Sequence, residues 1–297
     1  MVGDLGSWFN LSTNQAFLAW EDSLELPSNV TWSRTLASRF EKLFGYQLEL
    51  YMPLITFKQN NLAVQGDSPG SFHCILDTPD QGQGYVNDYR AALVDGYREY
   101  LETLGQWVRQ ALGLQLSVQP AYGMPMDMQA VIPYVDVPEC ESLSFVDSVD
   151  SYRQFTGPAH LSGKRIISNE MGAVRGSAFS LHIPDLLFSI NRALVGGVNR
   201  VVIHGQTYSG SYFGTTWPGY TPFRYLFSDP WSAKLPLWEH TLQSVLGYIG
   251  RAQYIQQQGV AKTDVAIYNK QSATAFATVY DQADLLKKGN WLNKLGS

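Results

Sequence analysis

Apolar positions along this chain recur at two different spacings, and the two spacings take turns. Over residues 33–44, Leu36, Phe40, Leu43 and Phe44 fall three or four apart, which predicts a helix stopped by Gly45. A longer helix is predicted over 87–112, with Asn87 as its N-cap and Gly113 as its stop. Its core stripe reads Tyr89, Leu93, Tyr97, Leu101, Leu104 and Val108. Leu114, Leu116 and Val118 then alternate with polar residues, the period of a strand, before Tyr122-Gly-Met-Pro turns the chain into a loop. Beyond it the pattern predicts strands at 134–137, 165–168, 199–204 and 264–268. Helical stretches separate them at 147–163, disturbed by Gly157-Pro158, at 184–194, with proline in its first turn, and at 235–258. Strands alternating with helices predict βα units around a parallel sheet. No internal repeat or low-complexity tract interrupts them.

Composition narrows the classes. Of 297 residues, 45% are hydrophobic and only 16% charged, so the chain buries enough surface to offset its ordering entropy and is not disordered. The length allows one large domain or two small ones at roughly 150 residues each. A balance of 21 basic against 26 acidic residues gives a net charge of −5. Without basic runs this excludes nucleic acid as the main ligand. No stretch approaches the ~18 uninterrupted apolar residues of a membrane span. The first ten residues have neither a basic nor an apolar segment of the kind that makes a secretory signal, although eight Trp and 17 Tyr suit an extracellular carbohydrate-active protein. Cys74 and Cys140 lack metal-ligand spacing and are either two free thiols or one bridge.

One predicted loop and three acidic clusters carry the candidate chemistry. Residues 205–235 hold nine aromatic residues, among them Tyr208 and Trp217, and such faces stack on the C–H faces of sugar rings or pack a small core of their own. The acidic clusters fall where predicted strands run out: Glu21-Asp22-Ser-Leu-Glu25, Asp136-Val-Pro-Glu139-Cys-Glu141, and Asn169-Glu170 followed by Gly172. In a (β/α) barrel the C-terminal strand ends converge on the active site, so carboxylates there can form the acid/base pair of glycoside hydrolysis; a single such Glu is otherwise a solvated loop residue. Asn169 can hydrogen-bond a sugar hydroxyl beside Glu170. His204 ends the strand Val201-Val-Ile-His, pointing to the same mouth or serving as a core histidine. No Gly-x-Ser-x-Gly elbow and no phosphate-cradling glycine loop is present.

These residues resemble the family 106 α-L-rhamnosidases. The resemblance rests on the order Asp22-Ser-Leu-Glu25, Asn29-Val-Thr-Trp32, Gly45-Tyr46-Gln-Leu, Tyr51-Met-Pro-Leu, Gln119-Pro-Ala-Tyr122-Gly-Met-Pro-Met-Asp127, Asp136-Val-Pro-Glu139-Cys-Glu141, Ser168-Asn169-Glu170 and Gly196 to Gly205. Two positions depart from the family pattern: Tyr122 stands where a histidine is usual, and Gln47 where an aspartate is usual. The resemblance implies hydrolysis with inversion, Glu25 as general acid, and Glu139 and Glu170 on the basic side, with Glu141 the rival of Glu139. Asp22, Tyr122, Asp127, Glu141, Asn169, His204, Tyr208 and Trp217 then contact an oligosaccharide or polysaccharide substrate. It also implies a calcium ion on the sugar hydroxyls, with no ligands identifiable here; the chemistry itself needs no cofactor.

The architecture expected is an incomplete (β/α)₈ barrel of the TIM type, with about five βα units over 1–260, and the start of a second α/β module at 261–297. That implies a fragment of a longer, secreted enzyme. Two other outcomes stay open: a catalytically inactive carbohydrate-binding remnant, and a retaining glycosidase of the family 2 or 42 type. Carboxylates about 5–5.5 Å apart would mark retention, and about 6.5–9.5 Å inversion.

Overall fold

The computed structural model describes residues 18–24, 30–57, 74–121, 127–145, 148–173, 181–204 and 240–264. They fall into two compact units that divide between Asp136 and Val137.

In the first unit, β1 (Leu18–Glu21) pairs in parallel with a strand that follows three helical segments. The first of these, α1 (Leu36–Phe44), starts a turn after the stretch the periodicity marks. A 3₁₀ turn (Leu48–Tyr51) and α2 (Met52–Phe57) follow, and then the long α3 (Gln83–Trp107), which continues as one π-turn to Leu112. Gly45 and Gly113 stop α1 and the α3 π-turn as expected, at φ 77° and 66°, where only glycine sits without strain. The beginning of α3 differs from expectation. Gly82, not Asn87, is its N-cap, and the carboxylate of Asp80 accepts from the backbone N–H of Gly82 at 3.1 Å and of Gly84 at 2.7 Å, while Asn87 accepts from Gln83 one turn inside the helix. Placing the cap earlier lengthens the apolar stripe, and Tyr89, Leu93, Tyr97, Leu101 and Val108 are all buried.

β2 (Gln115–Val118) brings Leu116 and Val118 into the same core, beside Leu36, Phe40 and Tyr89. The register Ala19↔Leu116 and Glu21↔Val118 puts Ala19 and Glu21 on this helix-facing side, and Trp20 with Ser117 on the other. Asp127 caps the short α4 (Met128–Val131). Of the predicted strand at 134–137, Tyr134 closes a 3₁₀ turn (Ile132–Tyr134) that has Pro133 in its first positions, Val135 is extended, and strand pairing starts only at Val137. Asp136 accepts from Leu116 N–H at 2.9 Å and pairs with Arg109 at 2.9 Å, which ties the end of this unit to β2.

The second unit is a three-stranded parallel sheet with helices between its strands. β3 (Val137–Glu141) is buried at every position and leads through α5 (Ser142–Phe145) into α6 (Val149–Leu161). Gly157-Pro158 does not break α6; Pro158 lies inside it. β4 (Ser168–Met171), α7 (Ile183–Val195) and β5 (Arg200–Ile203) follow, and α8 (Leu242–Gln258) closes the described residues. Asn199 sets the start of β4: its Oδ1 accepts Ile167 N–H at 2.8 Å and its Nδ2 donates to Arg165 C=O at 2.9 Å. From α8, Gln253 accepts Val201 N–H at 2.6 Å, and Gln257 donates to Asn199 C=O at 2.7 Å. The expected strand at 264–268 lies outside the described residues apart from Asp264. Among the described residues no helix is long and apolar enough to cross a membrane.

Candidate active site

Parallel pairing decides which side chains share a face. Glu139 lies opposite Ser168, and Glu141 opposite Glu170, while Ser168 and Glu170 lie opposite Arg200 and Val202 of β5. Residues in register point to the same side, and alternate residues of one strand do so as well. Glu139, Glu141, Ser168 and Glu170 therefore project from one face of the sheet. The three carboxylates are 1%, 6% and 8% exposed. His204 follows directly after β5, and its N–H donates to Met171 C=O at 2.7 Å, so the ladder continues and alternation assigns His204 to this face too.

The acidic residues were expected just past strand ends; the structure puts them inside the strands. Val-Pro-Glu-Cys-Glu makes β3 and Ser-Asn-Glu-Met makes β4, each a few residues later than the apolar pattern suggests. Burying a carboxylate is costly unless it is hydrogen-bonded, and the sheet supplies donors. Ser168 donates to Glu139 Oε2 at 2.6 Å, with both groups buried. Ser168 was not among the expected site residues. Its only trace in the sequence is a hydroxyl residue two positions before Glu170.

Asn169 takes the opposite face. It lies in register with Cys140, whose thiol contacts Asn169 Oδ1 at 3.3 Å, and it is fully buried there. Burial, reinforced by the flanking Glu139 and Glu141, pushes the Cys140 thiol well above its ordinary value. It therefore stays protonated and is a donor rather than a nucleophile. Neither Cys140 nor Cys74 is bridged, which settles the open question in favour of two free thiols.

Asp22 and Asp127 belong to the first unit. Asp22 is exposed just past β1 and accepts from Ser23 N–H at 2.8 Å. Asp127 Oδ1 is taken up by the N–H groups of Gln129 and Ala130 at 3.0 and 3.2 Å. Glu21 ends β1 and receives a hydrogen bond from Tyr100. Burial holds its carboxyl above the usual carboxylate range, and the Tyr100 bond offsets part of that rise. Glu25, Tyr122, Tyr208 and Trp217 lie outside the described residues. Among the described residues no group of three or more His, Cys, Asp or Glu side chains is arranged to hold a metal ion. The expected calcium thus finds no fitting ligand set among the described residues.

A parallel α/β fold presenting buried carboxylates from adjacent strands on one face has the equipment of a glycoside hydrolase: acceptors for a water proton and for sugar hydroxyls. A family model described as alpha-L-rhamnosidase matches residues 13–286, and the chain belongs to that family, glycoside hydrolase family 106. Its fold is similar to that of a rhamnosidase from Novosphingobium sp. PP1Y, at a TM-score of 0.54 and 18% identity, over 88% of this chain and 24% of that one. A Formosa agariphila protein provisionally named beta-glucuronidase is 23% identical over 93% of this chain and 22% of its own length. The chain thus spans about a quarter of the length of these relatives. The family acts on carbohydrate.

Proposed function

We propose that the chain carries the water-activating side of an α-L-rhamnosidase site, built on the carboxylate face of β3 and β4. The observation that supports this most directly is the register of Glu139, Glu141 and Glu170 on one face, in a chain of this family. In this reading a water oxygen attacks the anomeric carbon and its proton passes to Glu170, with Glu139 and Glu141 beside it. The bond to the glycosidic oxygen breaks as that oxygen takes a proton from Glu25, the residue to which the resemblance assigns the acid role. One displacement inverts the configuration. The substrate is a terminal α-L-rhamnosyl or related deoxysugar residue of a glycan.

The test is hydrolysis of 4-nitrophenyl α-L-rhamnoside, with proton NMR identifying the first anomer released. Glu170→Gln is expected to lower kcat by about 10²–10⁴, the usual worth of a general base. Wild-type turnover in that variant would remove the assignment. Glu25→Gln should lose far more activity on an alkyl rhamnoside than on the activated aryl one, because only the former needs protonation. The name of the Formosa agariphila relative supports a second reading, a uronic acid substrate. Parallel assay on 4-nitrophenyl β-D-glucuronide decides between the two.

A further inference from the structure

We propose that Ser168 is a positioning residue of the carboxylate face, whose hydroxyl fixes the orientation of the Glu139 carboxylate. Its bearing on turnover rests on the rhamnosidase reading above; the contact itself does not. Three observations carry it. Ser168 and Glu139 are direct register partners on adjacent parallel strands, so their side chains start side by side. The separation of 2.6 Å from Oγ to Oε2 is that of a short, well-formed hydrogen bond from the hydroxyl to the carboxylate oxygen. Neither residue offers water a way in, at 0% and 1% exposure, so the bond is not exchanged with solvent.

Its place in the fold suits that task. Both partners sit within strands rather than on loops, and Ser168 is held from both sides, by β3 and by Arg200 of β5. A donor on such a support pins the carboxylate plane more narrowly than one on a mobile segment would. Glu141 and Glu170 share the next register position along the same face, so a rotated Glu139 would also disturb the groups that receive the water proton. The competing view is that Ser168 merely fills space in the sheet, with no hold on Glu139.

The experiment uses the full chain with ¹³Cδ-labelled glutamate, the Glu139 resonance being assigned by its disappearance in Glu139→Gln. In Ser168→Ala that resonance should move, with those of Glu141 and Glu170 shifting less, and Ser168→Thr should bring it back. Should the extra methyl of threonine prevent folding, Ser168→Cys, a weaker donor, should give an intermediate position. On the aryl rhamnoside, Ser168→Ala should lower kcat by about tenfold to hundredfold, the typical effect of losing a supporting hydrogen bond, with KM within about twofold. The same change made on top of Glu139→Gln should cost little more, because it acts through Glu139. An unmoved resonance, a loss confined to KM, or an undiminished loss in the Glu139→Gln background would each overturn the proposal. A wild-type chain that turns over no rhamnoside refutes the functional reading, and a moved resonance would still support the hold of Ser168 on Glu139.

Discussion

Replacing Asn199 with alanine should loosen the strand that carries Glu170, by an amount the structure allows to be worked out. Asn199 is 6% exposed and makes two bonds to backbone, to Ile167 N–H at 2.8 Å and to Arg165 C=O at 2.9 Å. The two losses are unequal. Arg165 is exposed, so water replaces the amide at its carbonyl, and little is lost there. Ile167 is fully buried, so its N–H would be stranded. A stranded buried donor costs about 1–3 kcal/mol. Asn199→Ala should therefore destabilise by about 1–3 kcal/mol, in urea unfolding followed by circular dichroism at unchanged slope. Amide exchange at Ile167 should accelerate in step. An alanine variant within about 0.5 kcal/mol of wild type, with Ile167 still protected, would refute the reasoning.

Two further predictions concern titratable groups. Burial holds Glu21 above the ordinary carboxylate value, so the folded state prefers it protonated, and its contribution is fully present below the unfolded value and lost as pH rises through the folded one. Glu21→Gln, which can still accept from Tyr100, should raise the thermal midpoint at pH 7 and leave it unchanged at pH 3; a lowered midpoint at pH 7 would contradict this. The half-exposed Cys74 should react with a disulfide reagent in the native chain while the buried, protonated Cys140 does not, two thiols appearing only on denaturation. Rapid modification of Cys140 in the folded protein would show that β3 opens.

The helices of this chain could be read from its sequence because each buries one apolar stripe. Leu36 and Phe40 in α1, and Tyr89 to Val108 along α3, recur at the helical period and are buried as that period requires. The acid-bearing strands could not be read so well. Apolar alternation marks a strand with one wet face, whereas β3 and β4 are buried on both faces and place carboxylates on one of them. Glu139 therefore looks like a solvated loop residue until the register supplies Ser168 beside it. The face that Asn169 takes follows from the same register and from nothing local in Ser-Asn-Glu. For α3, Asn87 looks like the cap because Asn is a good capping residue, whereas the helix starts at Gly82 with Asp80 taking up the N–H groups of its first turn, which only the loop geometry there reveals. The carboxylates themselves were legible by residue type and order; the donors that make their burial tolerable were not.

The two glutamines of α8 bear on solubility. The backbone groups they engage, Val201 N–H in β5 and Asn199 C=O just before it, lie at positions whose pairing with β4 leaves them over. Groups of this kind, left bare, form a template on which a stray extended segment can add itself. Side-chain amides are good stand-ins for a peptide, because they set an N–H donor beside a C=O acceptor as a peptide group does. An incoming strand would have to strip both amides away and lift part of α8 with them, which works against indiscriminate stacking of one copy on another. The helix thus guards the sheet without adding to it.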